Sequence, residues 1–191
     1  MRAYLSALVT ALAVCAPAVA DARPLHYLLD PAQSEVGFEV SMGQSPLKGR
    51  MPVTAADLTL DFDRASASHV SVTLSPAKAE MGLPFATEAM KSPEVLDAGQ
   101  HPEIHFESTR VIPTADGARI DGRITIRGVT RPVTLQARIF RPEGSEPGAR
   151  AELTIRLNGT ISRSDFGAVG FGDMVGDRVL LDIRAHIRLT G

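Results

Sequence analysis

Between residues 34 and 189 the apolar residues return at every second position, and that period decides what the chain can fold into. Strict alternation is the mark of a strand buried on one face. "SEVGFEVSM" puts Val36, Phe38, Val40 and Met42 on one side, with Glu35, Gly37 and Glu39 on the other. The pattern repeats in "LTLDF" with Leu58, Leu60 and Phe62, and in "HVSVTLS" with Val70, Val72 and Leu74. "IHFES" sets Ile104 and Phe106 against His105 and Glu107, and "ARIDGRITIR" aligns Ile120, Gly122, Ile124 and Ile126. Val133, Leu135, Ala137 and Ile139 follow, then Leu153, Ile155 and Leu157. The last run, from Val179 through Leu181, Ile183, Ala185 and Ile187 to Leu189, is the longest.

Eight such strands need a shared interior. The one helical candidate is "LPFATEAMKS" at 83–92, opened by Pro84 and closed by "SPEV", between the third and fourth strands. One short helix cannot cover an open sheet of eight strands. The expected fold is therefore all-β, an eight-stranded antiparallel barrel in which closure removes the edges. A two-layer sandwich satisfies the same periodicity. "TADG" (114–117) and "RPEGSEPG" (141–148) read as hairpin loops, and "RGVTRP" (127–132) as a tighter connection. Several inward positions are small: Gly122, Ala137, Ala185, Ser108 and Gly159. Small residues on facing strands either leave a lumen for a ligand or relieve crowding.

The first twenty residues stand apart. "MRAYLSALVTALAVCAPAVA" has one early positive charge, an apolar stretch from Leu5 to Ala16, and the small-x-small end Ala18-Val19-Ala20. That is the plan of a secretory signal peptide, too short in its apolar part to span a bilayer. Cleavage near Ala20 leaves a domain of residues 21–191 and removes the single cysteine, Cys15, so no disulfide framework holds the domain. Loss of Arg2, the only charge in that stretch, takes the formal net charge from −2 to −3. No basic run of five or more occurs, which gives nucleic acid and anionic membranes no electrostatic footprint.

Candidate chemical motifs do not assemble. His101 and His105 have a metal-ligand spacing on a helix, but Pro102 and the alternation of 104–107 place them on a strand. Four residues along a strand is about 13 Å, too far for one zinc ion. "SPLK" (45–48) and "SPAK" (75–78) match Ser-x-x-Lys but carry a proline and fall at strand ends. "DFG" (165–167) lacks every other kinase element, and "GFGDMVG" (170–176) has the wrong spacing for a dinucleotide loop. Asp165, Asp173 and Asp177 share a Gly-rich stretch that reads as a solvated turn, with a weak calcium loop as the competing reading. No catalytic residues and no metal ligands are expected.

Four segments, in order, resemble the YceI-like family of secreted lipid-binding proteins: "YLLDPAQSEVGFEV" (27–40), "HPEIHFEST" (101–109), "DGRITIRGVTRPVTL" (121–135) and "SRSDFGA" (162–168). His101 stands where the family more often has tyrosine, Ile124 replaces a leucine, and residues 75–100 look less like the common pattern. The resemblance implies an extended lipocalin-like barrel, periplasmic or secreted, holding a polyisoprenoid, an isoprenoid quinone or another long-chain lipid without a covalent cofactor. It also implies a possible link to a membrane cytochrome or quinone pool, and a homodimer is compatible with it.

A tube suited to such a chain would be lined by Phe38, Val40, Leu60, Phe62, Val72 and Leu74 from the first strands and by Phe85 from the helix. Phe106, Ile124, Leu135, Ile155 and Ile183 complete it, with Arg163 and Asp165 as candidates for a polar head at the mouth. A capping role in a turn is the competing role for Asp165. Two other readings are an enzyme acting on an isoprenoid lipid, which needs an ionisable group in the lumen, and a solid barrel acting through its surface in partner binding or stress response.

Overall fold

The computed structural model describes residues 24–190, so the segment expected to be a signal peptide, residues 1–20, lies outside the described residues. Eleven strands and one helix follow in order. They are β1 (Leu25–Leu29), β2 (Glu35–Met42), β3 (Ser45–Met51), β4 (Val53–Leu60), β5 (His69–Leu74) and β6 (Glu80–Met81), then α1 (Pro84–Lys91). β7 (Ile104–Thr114), β8 (Gly117–Ile126), β9 (Val129–Phe140), β10 (Glu152–Ser162) and β11 (Val175–Leu189) complete the chain.

The sheet closes. Neighbours run β1-β4-β5-β7-β8-β9-β10-β11, and β11 pairs back onto β1. All the pairings are antiparallel. The expected eight-stranded barrel with one short helix is therefore present. The remaining strands extend it. Val175–Arg184 of β11 pairs with β2, while Ile187–Leu189 pairs with β1. β1 and β2 thus run one after the other along the same edge of β11, and β3 and β4 do the same along β2 and β1. Pro52 separates β3 from β4. With no N–H to donate, it interrupts the ladder, and its carbonyl accepts from Ser75 N–H at 3.0 Å.

This division makes two halves with different walls. In one, β1, β4 and β5 complete the barrel, and Tyr27, Leu58, Leu153 and Ile187 pack a solid core. In the other, β5 stops at Leu74, opposite Ile104. Beyond that level β3 meets only the two-residue β6, and residues 75–103, carrying α1, take the place of a strand.

β1 and β3 escape the alternation test for different reasons. β1, "LHYLL", is nearly all apolar. β3, "SPLKGRM", alternates, but with only Leu47 and Met51 on the inner row beside Gly49. The inward assignment of the other strands holds: Ile104, Phe106, Ile120, Ile124, Val133 and Leu135 are buried, and His105 is exposed. The small inner residues relieve crowding. A Cβ on Gly122 would lie 2.5 Å from the Phe106 ring, and one on Gly159 would lie 2.5 Å from Leu135. "RGVTRP" shortens to a two-residue hairpin turn, with Arg127 (φ 51°) and Gly128 (φ 73°) both left-handed, the twist that suits a tight β-hairpin.

Candidate ligand-binding cavity

The half walled by α1 is hollow. It encloses a cavity of about 230 Å³ whose accessible wall is entirely apolar. A site for one water needs only about 10–15 Å³, so the space suits an organic ligand. β2 contributes Val36, Phe38, Val40 and Met42, and β3 adds Leu47 and Met51. The helix presents Phe85, Ala86, Ala89 and Met90. The far wall is Ile104, Ile124, Ile126 and Ile161, then Val179 and Leu181 of β11.

The mouth is identified by residues that line the cavity and also meet solvent. Phe85 is 64% exposed, Phe171 44% and Met174 58%. Phe85 opens α1, where Pro84 occupies the first turn and loses no hydrogen bond there. Phe171 and Met174 belong to the loop between β10 and β11, which crosses the same end.

That loop is tied together by Arg163. Its Nε donates to Gly176 O at 3.1 Å, Nη1 to Ala168 O at 2.6 Å and Gly170 O at 2.7 Å, and Nη2 to Val175 O at 3.0 Å. The guanidinium is spent on backbone carbonyls, although the side chain touches the cavity wall. Asp165 is exposed and does not line the cavity. The capping role belongs to Asp177, which accepts the Ser164 N–H at 2.9 Å. That bond, helped by the Ser164 hydroxyl, holds the Asp177 carboxyl below the usual carboxylate value. The loop also reaches the helical segment, through Gly170 N–H to Glu94 O at 2.8 Å. Across from it, Arg127 donates to Pro93 O at 2.6 Å and Val95 O at 2.9 Å.

Of the expected ligand positions, Phe38, Val40, Leu74, Phe85, Ile124 and Arg163 lie on the cavity wall. Leu60, Phe62, Val72 and Ile155 pack in the solid half instead. Phe106 and Leu135 fill the middle of the barrel against Gly122 and Gly159. Ile183 is half-buried and off the wall. The lumen is thus a chamber at one end and not a tube along the whole axis. The sequence reading missed Leu47, Met51, Met81, Met90, Phe171 and Met174. Inner-row alternation across "SPLKGRM" was the available signal for the first two.

Among the described residues the ionisable side chain on the chamber wall is Arg163, and its guanidinium is bound to backbone carbonyls. The buried Asp61 and His186 lie elsewhere. Asp61 caps its own turn, accepting from Asp63 N–H at 3.0 Å and Arg64 N–H at 2.6 Å. His186 is on the outer face, 3.2 Å from Thr154 Oγ1 and 2.8 Å from Glu152 Oε1. His105 Nδ1 lies 3.3 Å from Thr73 Oγ1, and His101 sits 3.9 Å from Asp97. Among the described residues no three His, Cys, Asp or Glu side chains group as a metal site requires.

A closed antiparallel barrel with one apolar, open-mouthed end defines a lipocalin-like class of binding barrel. The YceI-like domain model matches residues 27–187, and the chain belongs to that family. It is 30% identical over 184 residues to a UPF0312 protein of Vibrio parahaemolyticus, covering 93% of this chain and 94% of that one. A UPF0312 protein of Pseudomonas paraeruginosa is 31% identical over 126 residues, 66% of this chain and 65% of the relative, just under two thirds of its length. Among solved structures, BcnA of Burkholderia cenocepacia superposes with a TM-score of 0.74 at 20% identity, covering 83% of this chain and 99% of that one. A polyisoprenoid binding domain from Saccharophagus degradans superposes at 0.63 and 11% identity, covering 87% and 99%. At these identities the two structures show the shared fold.

Proposed function

We propose that this protein binds a long apolar molecule of the isoprenoid-lipid type in the chamber and carries it without chemical change. The carrying observation is the entirely apolar wall opening through Phe85, Phe171 and Met174. Such a wall offers no direction to a polar substrate but rewards hydrocarbon. Burial is worth about 0.8 kcal/mol per CH₂, so roughly 4 kcal/mol for each five-carbon unit before the costs of association. The description of the Saccharophagus degradans neighbour as polyisoprenoid-binding supports the same class of ligand. Absence of a free acid or base on the chamber wall favours binding over catalysis. An isoprenoid quinone falls in this class and would tie the protein to a quinone pool or a membrane cytochrome. The work place we infer is the periplasm or the cell exterior, from the signal-peptide pattern of residues 1–20.

Organic extraction of protein purified from its own host, followed by mass spectrometry, tests the reading. One dominant long-chain species at near-equimolar amount is expected. Protein that is repeatedly empty and takes up no long-chain lipid in vitro would sink it. Mass analysis of the protein from the cell envelope, with the N-terminus expected near Asp21, tests the location.

A further inference from the structure

The chain has six methionines, and apart from Met1 all of them line the same chamber: Met42, Met51, Met81, Met90 and Met174. They come from β2, β3, β6, α1 and the mouth loop, so no single element explains the gathering. The solid half, built by the same kind of strands, is packed with Leu, Ile, Val, Ala, Tyr and Phe and contains no methionine. Leucine or isoleucine would fill an inner row equally well. What methionine adds is a flexible, polarisable thioether that is open to oxidation.

The five are graded in access. Met174 stands at the mouth, 58% exposed. Met42 and Met81 are half-buried, and Met51 and Met90 are buried at 7% and 6%. Solvent-borne oxidant reaches the exposed thioether most readily and the two buried ones least. At the buried positions Met51 and Met90 the conversion puts a sulfoxide oxygen, a strong acceptor, against an accessible wall that is entirely apolar. A polar group without a partner disfavours the apolar contents, and the chamber opens to water instead.

We propose that these methionines are oxidation sites that convert the chamber from a lipid-holding to a lipid-releasing state, a step that rests on the apolar-ligand reading above. The oxidant is a peroxide or hypochlorous acid. With hydrogen peroxide, a sulfur lone pair attacks one peroxide oxygen, the S–O bond forms as the O–O bond breaks, and the proton on the attacked oxygen passes to the departing hydroxide, which leaves as water. Sulfur is oxidised by two electrons and the peroxide is reduced. A thiol-dependent methionine sulfoxide reductase reverses the change, with one enzyme for each sulfoxide epimer.

The experiment uses N-phenyl-1-naphthylamine as the apolar probe and hydrogen peroxide as the oxidant, with peptide mass spectrometry and thermal melting on the same samples. Sulfoxide is expected first at Met174 and last at Met51 and Met90. Probe affinity is expected to fall by roughly tenfold or more while the barrel stays folded, and to return after treatment with the reductase pair. A variant with all five changed to leucine keeps its affinity through the same treatment. If that variant does not fold, the reductase arm on the unaltered protein decides alone. Fully oxidised, folded protein that holds the probe as before would overturn the inference and leave the apolar-ligand reading standing. Untreated protein that takes up no probe would overturn both.

Discussion

The two ends of this barrel both draw on β5, β10 and β11, yet one is solid and the other hollow. At the solid end the interior is closed by side chains that bind one another. Tyr27 meets Phe62 edge-on with ring centroids 6.3 Å apart and donates its hydroxyl to Arg150 O at 2.8 Å. Arg150 lies 5.0 Å over Phe62 and holds Asp63 through two hydrogen bonds of 3.1 and 3.2 Å. At the hollow end no such plug exists among the described residues. The helical segment stands where one strand would be, tied to Arg127 through Pro93 O and Val95 O, while Arg163 ties together the loop at the mouth. An alternating strand therefore specifies which side chains point inward, and what covers the end decides whether they meet.

Substitutions can break that contrast. The largest expected effect is at the filled middle: Phe106→Ala removes the ring that occupies the space above Gly122 and should cost about 3–5 kcal/mol in a urea melt. Leu153→Ala, at a fully buried position of the solid end, should cost about 3 kcal/mol and leave ligand retained per folded molecule unchanged. Loss of ligand from folded Leu153→Ala would show that the ends are not independent. Arg163→Ala should cost about 2 kcal/mol and reverse the pattern, with faster hydrogen exchange in residues 168–176 and faster ligand loss.

Acid gives a smaller, local effect. Asp177 has a depressed carboxyl pKa, so its tie to Ser164 contributes fully above the unfolded aspartate value of about 3.9 and fades as pH falls through the lower folded value. Exchange in the mouth loop should therefore quicken below about pH 4, and Asp177→Asn should abolish that step. Asp63 is depressed in the same direction by its bond to Arg150, so the plug loosens in the same window. His105→Ala is expected to change stability by less than about 0.5 kcal/mol and to leave ligand retention intact, because the ring points outward. Ligand loss in that variant would reverse the strand faces.

Much of the barrel was legible because a buried strand face writes itself in every second letter. That rule alone turns Phe38, Val40 and Ile124 inward, and the structure puts them on the chamber wall. The rule could not separate them from Leu60, Val72 or Ile155, which share the same inward row at the other end. The difference lies in the pairing of β3 with β6 and of β4 with β5, a long-range fact that residue spacing does not carry. Arg163 illustrates a second gap. An arginine beside an apolar mouth reads as a head-group contact until its carbonyl partners are known.

The break at Pro52 leaves the hydrogen-bonded ladder of the solid end complete without residues 75–103. That segment is a replaceable panel, and its length and composition can change the size of the chamber while every strand register below it stays the same. Residues 75–100, which look less like the family's common pattern, lie within this panel and can change without refolding the barrel.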